Sequence, residues 1–265
     1  MVNLIKSHNY TLCHNMLSVI TLLSIIVLPF LGMYFNGLLS GDNWSDMTAS
    51  AYSISLGGTI LEIFLFATLI FSAKAVGGDS GDKTINYELM SGHSRSSVYW
   101  SRILTGVFWA VILVIITSLV PYGVLTLVNG WGDGTAPKEI LLRLCLSFFP
   151  LLRFAAVFML LTSLVDSAGG GLAIGYGVVL VETILDAVFE EIGNYDMTYI
   201  FTISNLSKLM SYNNSWEFVE NGKAITWFDY SITNDMIVKT IGFSLITAAL
   251  YMIIGYVVFK KRDKN

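Results

Sequence analysis

Six apolar runs, at 17–35, 54–75, 103–128, 140–165, 169–189 and 237–259, constrain this chain more than any other feature of it. Each is near or above the roughly 20 residues that an α-helix needs to cross a hydrocarbon core of about 30 Å. A membrane β-barrel would instead show segments of about 10 residues with alternating polarity, a pattern the chain lacks. Helices satisfy every backbone group within one segment, so these runs predict an all-α, polytopic membrane protein with six transmembrane helices. Composition agrees. Only 13% of the 265 residues are charged and the mean hydropathy is +0.67, whereas an ordinary soluble domain carries about 25% charged residues. The run at 17–35 is long, lacks a small-residue cleavage pattern and follows an amphiphilic lead-in, so it is expected to be a span and not a cleaved signal.

Six spans put both termini on one side. Lys6, Lys74, Lys83, Arg95 and Arg102 share that side with Lys260, Lys261, Arg262 and Lys264, while the alternate loops carry mainly acids such as Asp42, Asp46, Asp133, Glu190, Glu191 and Glu217. The positive-inside rule makes the first side cytoplasmic, giving a multi-pass membrane protein with N and C termini cytoplasmic. The net charge of -4 is then mostly an outward-facing property, and nucleic acid is not an expected partner. Cys13 and Cys145 have the spacing of neither a metal site nor a redox pair and read as buried thiols.

The chain reads as one transmembrane domain, 1–265, with three features outside the spans. Residues 1–16 space Leu4, Ile5, Leu12 and Cys13 about one or two turns apart among polar residues, as an interfacial amphipathic helix does. Residues 190–236 form a long outer segment whose portion 197–210 is amphipathic; a folded cap or short helices dipping back toward the membrane fit it. The third is the cytoplasmic stretch 76–102. Residues 79–82 supply turn and cap chemistry, Ile85, Leu89 and Met90 share an apolar side, Gly92 stops the run, and Ser94 caps the helix that becomes span three. A short helix lying across the entrance of spans two and three results.

Glu62, Arg153 and Glu182 are the strongest chemical signals within the apolar runs. One reading is a structural tie, in which Arg153 neutralises one or both carboxylates and joins spans two, four and five. The other is a relay or pathway lining, since ionisable groups in a membrane often mark one. Arg143, near the outer end of span four, is expected to snorkel to the interface. The glycines at 169–171, 175 and 177 permit close helix approach within the subunit or across a dimer seam.

The order Gly81-Asp82-Lys83-Thr84-Ile85, then Tyr87-Glu88-Leu89-Met90-Ser91-Gly92, then Ser94-Arg95 and Tyr99 resembles the loop between spans two and three in ABC-2 type permeases, particularly the small subunits of Gram-positive peptide export or bacteriocin immunity systems. That resemblance implies the ABC-2 permease fold, with Thr84, Ile85, Tyr87, Glu88, Leu89, Met90, Ser91 and Arg95 forming a coupling helix seated in a cleft of a separate nucleotide-binding ATPase subunit. It also implies re-entrant helices in 190–236 and an amphipathic peptide or lipid-like substrate taken from the membrane lipid. This chain has no proline after Pro150, where many members have one between spans five and six, and its 211–235 insert is longer than a minimal member needs. It also has no GxxxxGK[ST] phosphate loop. ATP and Mg are therefore expected on the partner chain, with no cofactor bound here and no enzymatic activity of its own. Six spans are few for an enclosed path, so a second permease chain is expected, as a homodimer or a heterodimer. Two rival readings stand beside this one: a proton-coupled secondary transporter working through Glu62, Arg153 and Glu182, and a non-transporting membrane immunity or assembly factor.

Overall fold

The computed structural model describes residues 1–40, 48–50, 52, 59–77, 84–132, 136–165, 167–192, 199–210, 212–213, 219–220, 223–224, 227–228 and 232–261. Its helices are α1 (Val2–His14), α2 (Met16–Ser40), α3 (Thr59–Gly77), α4 (Thr84–Met90), α5 (Arg95–Asn129), α6 (Pro137–Val165), α7 (Ala168–Glu191), α8 (Thr202–Met210) and α9 (Asn234–Lys261). The described residues of each of the six apolar runs fall on a helix. Among the described residues, Arg95–Asn129, Pro137–Val165, Gly169–Phe189 and Asn234–Lys261 are long and apolar enough to cross a membrane, and the pair Val2–His14 and Met16–Gly32, bent by 69°, makes up to five. The described apolar part of α3 is the shorter Leu65–Val76. The chain is thus an all-α assembly of several long apolar helices, as in a polytopic membrane protein.

Local chemistry fixes where these helices begin and end. The Ser94 hydroxyl accepts a hydrogen bond from the Ser97 amide at 3.2 Å and starts α5; Ser167 does the same for the Gly170 amide at 3.0 Å at the head of α7, and Thr233 for the Met236 amide at 3.2 Å before α9. Pro137 opens α6, where its missing N–H costs nothing. At the end of α4 the Gly92 amide donates to the Leu89 carbonyl and the His93 amide to the Glu88 carbonyl, with Gly92 at φ +88°. This is the Schellman arrangement, and it requires a residue that enters the left-handed region without strain.

α6 is the hub. Of its apolar window 61% is buried, against 6% for Gly169–Phe189 in α7 and 17% for α9, because α6 packs on α3, α5, α7, α8 and α9. Three apolar clusters follow one another along the bundle. At one end Leu4, Val76, Ile85, Val98, Tyr99 and Phe259 gather α1, α4 and the termini of α3, α5 and α9. Leu65, Leu69, Phe71, Trp109, Phe154 and Phe158 fill the middle, and Tyr52, Tyr122, Leu144, Leu209 and Met236 the far end. There Trp131 stacks on Tyr122 with centroids 5.9 Å apart.

Among its described residues the segment 190–236 also carries two-residue strands, β1 (Tyr212–Asn213), β2 (Val219–Glu220), β3 (Lys223–Ala224) and β4 (Trp227–Phe228). β1 pairs antiparallel with β4 (Tyr212 opposite Phe228) and β2 with β3 (Val219 opposite Ala224), as two separate two-stranded ladders. The amphipathic portion expected at 197–210 appears as α8.

Some glycines have a packing role inside the subunit. A Cβ at Gly175 would stand 2.6 Å from the Phe158 ring and one at Gly171 would meet Thr162, whereas nothing lies within 4 Å of one at Gly177. Gly175→Leu is therefore expected to cost about 1–3 kcal/mol through overpacking. Gly177→Ala should be neutral or stabilising by up to about 1 kcal/mol. Unfolding midpoints of the two variants in detergent check the contrast. The two thiols depart from expectation, since Cys13 and Cys145 are both exposed on the outside of the bundle.

Candidate functional site

α4 is fastened to the bundle by its own acidic residue. Glu88 Oε1 accepts from Arg102 Nη2 at 3.1 Å, and Arg102 Nη1 donates to the Val76 carbonyl in the last turn of α3 at 3.1 Å. His8 Nε2 of α1 lies 3.6 Å from the same Glu88 oxygen and 3.4 Å from Ser101 Oγ. Arg102 and His8 are buried. One carboxylate thus joins α1, α4 and α5, and its arginine partner extends the connection to α3. Nearby, Trp109 Nε1 donates to Asn9 Oδ1 at 2.9 Å and Arg95 Nη1 donates to the Lys260 carbonyl at 3.3 Å, tying the start of α5 to the end of α9.

This anchoring divides the candidate docking residues into two sets. Ile85 is buried at 3%, Leu89 packs with it against the end cluster, and Glu88 turns inward with them. Tyr87 at 64% and Met90 at 75% exposure point away, together with exposed Ser91, whose hydroxyl donates to the Glu88 carbonyl at 2.8 Å. The expectation that Met90 shares a side with Ile85 and Leu89 is corrected. Five residues of helix rotate Met90 well away from Ile85, and the inward position one turn from Ile85 goes to Glu88. Arg95 is half-buried. The turn and cap chemistry read at 79–82 lies outside the described residues, as does the Thr84 side chain.

A second charged system grips α8. Arg153 of α6 donates from Nε to Thr202 Oγ1 at 3.1 Å and from Nη1 to the Tyr199 carbonyl at 2.9 Å, with its guanidinium 5.2 Å from the Phe243 ring centroid. Glu182 of α7 accepts the Thr202 amide at 3.1 Å and so caps the first turn of α8. Arg153 and Glu182 therefore meet through Thr202. At the other end of α8, Arg143 Nη1 donates to the Leu209 carbonyl at 3.1 Å and Nη2 to Glu139 Oε1 at 3.2 Å. Ten residues separate the arginines, about 15 Å of helix, which matches the length of α8. α8 thus lies antiparallel to α6 with an arginine at each end. Arg143 does not snorkel: it is 2% exposed, because the last turn of α8 offers it an unsatisfied carbonyl. Glu62 lies in α3, and its side chain is outside the described residues.

Sequence reasoning passed over Arg102 and His8, counting one as a loop charge and the other as a polar filler. The usable signal was a carboxylate and an arginine on either side of the Gly92 break.

Burial pushes the His8 imidazole down to about 4, and the nearby Arg102 guanidinium pushes the same way. His8 is neutral in the folded protein at pH 7, and its contact with Glu88 is then polar and not ionic. The unfolded chain binds the proton from about pH 6.5 downward while the fold excludes it until about pH 4. Stability is thus fully present above pH 6.5 and falls by roughly 3 kcal/mol between those limits. Unfolding of the His8→Gln variant should lack this part of the acid slope; an unchanged slope between pH 6.5 and 4 would count against the assignment.

Among the described residues no group of three or more His, Cys, Asp or Glu side chains is placed to hold a metal ion. The chemistry on display is mechanical: charged groups fasten two short helices, α4 and α8, to opposite ends of one bundle. A comparison with curated proteins finds no match. A family described as protein of unknown function (DUF2705) matches residues 22–264, and the chain belongs to that family.

Proposed function

We propose that this chain is the membrane-spanning permease subunit of an ATP-driven ABC-2 type exporter, with six spans, both termini cytoplasmic, and a second permease chain beside it. A separate nucleotide-binding ATPase docks under α4. Its closure drives export or clearance of amphipathic peptides or lipid-like molecules. The observation that carries this reading is the form of α4: a short, capped helix whose inward face is fixed to three other elements through Ile85, Glu88 and Arg102, and whose outward face presents Tyr87 and Met90. A push on that outward face reaches α1, α3 and α5 at once.

The test uses single cysteines at Tyr87 or Met90 in a chain whose Cys13 and Cys145 are replaced by serine. A short bifunctional thiol reagent applied to membranes containing the cognate ATPase should link either position to that subunit, with a yield that changes when ATP is added. Linkage that fails at both positions while the ATPase is present would overturn the docking assignment.

The contacts at Thr202 favour one second reading, a proton-coupled carrier. There Glu182 and Arg153 are the working groups, Glu62 joins them, and no ATPase is needed. Glu182→Gln then abolishes transport, whereas the ATP-driven reading leaves transport in place with a weakened α8.

A further inference from the structure

We propose that the seam where α6, α8 and α9 meet is a hydrated site, in which bound water bridges Arg153, Asn205 and Ser244. Among the described residues, Arg153 Nη2, Asn205 Nδ2 and Ser244 Oγ have no hydrogen-bond partner, and their residues are 2%, 1% and 0% exposed. Two contacts bring them together. Thr240 Oγ1 of α9 bonds Asn205 Oδ1 of α8 at 3.3 Å, and Phe243, beside Ser244, sets its ring against the Arg153 guanidinium. Ser244 follows Thr240 by one turn on the same face of α9. Thr202, held by Arg153, precedes Asn205 by about one turn of α8. The seam is therefore polar from the Thr240 level to the Arg153 level.

The donor set selects the ligand. The two nitrogens only donate, and the Ser244 hydroxyl donates or accepts, so a cation finds no site here. The charge of Arg153 is already answered by Glu182 across Thr202, and a buried anion would add a charge with no counterpart. Water accepts from both nitrogens and completes the hydroxyl, as buried waters with about three hydrogen bonds do. α8 then rests on α9 through a wet contact within an otherwise apolar bundle. This assignment is independent of what the protein transports or what drives it.

The experiment uses the purified full chain in detergent. A hydrated seam predicts that Ser244→Ala lowers the unfolding midpoint, because bound water loses a partner. A dry seam predicts that it raises the midpoint, because an unsatisfied hydroxyl disappears. Radiolytic hydroxyl-radical labelling supplies a second readout: oxidation of Phe243 should drop severalfold in Ser244→Leu, which fills the seam, and an undiminished label would overturn the proposal. Exchange of chloride or bromide for gluconate should leave the midpoint of the unaltered chain unchanged; a halide-dependent midpoint would assign the site to an anion and defeat the water assignment.

Discussion

Arg153→Ala should destabilise the protein by about 3–5 kcal/mol, the range for removing one partner from a buried charged network. The substitution strips Thr202 Oγ1 and the Tyr199 carbonyl of their donor and leaves Glu182 at the head of α8 without a nearby cation. Loss should concentrate in α8, so amide exchange across Thr202–Met210 should accelerate more than exchange in α5. Arg153→Lys should recover little, because one ammonium cannot reproduce a planar fork that serves two acceptors while facing the Phe243 ring. Denaturant unfolding in detergent measures the first effect and hydrogen exchange the second. Full rescue by lysine would mean that charge alone matters at this position.

Arg102→Ala should have an effect of similar size at the opposite end of the bundle. The guanidinium is 1% exposed and holds both Glu88 and the Val76 carbonyl. Its loss leaves a carboxylate and a carbonyl short of a donor. Glu88→Gln should cost less, about 1–3 kcal/mol, since the amide oxygen still accepts and Arg102 keeps Val76. The two substitutions share a contact, so they should be non-additive by about 0.5–3 kcal/mol in a double-mutant cycle. Additivity within about 0.5 kcal/mol would show that Arg102 does not act through Glu88. Tyr87→Asp, by contrast, changes an exposed side chain and should leave stability within about 0.5 kcal/mol.

The helices themselves were legible because an apolar run of a given length has one way to satisfy its backbone in lipid, and because Ser94 and Gly92 are local signals with local partners. The amphipathic spacing of Ile203, Leu206 and Leu209 likewise revealed α8. What could not be read were the partners of the charged residues. Arg143 sits 66 residues before the carbonyl it serves, and Arg102 meets His8 from 94 positions away, next to Ser101, which lies 93 positions from it. No periodicity within one helix encodes such distances. The orientation of α4 failed for a related reason. Periodicity makes Met90 look like part of the apolar side, but a buried guanidinium recruits Glu88 to the inward face and turns Met90 out.

Co-purification is the most direct measurement of the central claim, that α4 couples this membrane subunit to a separate ATPase. The chain extracted in mild detergent from its native membrane should bring down a nucleotide-binding subunit in a ratio of one per copy of this chain. Tyr87→Asp together with Met90→Asp should abolish that recovery while the unfolding midpoint stays in place. Recovery of this chain alone, still moving substrate on a proton gradient, would contradict the account.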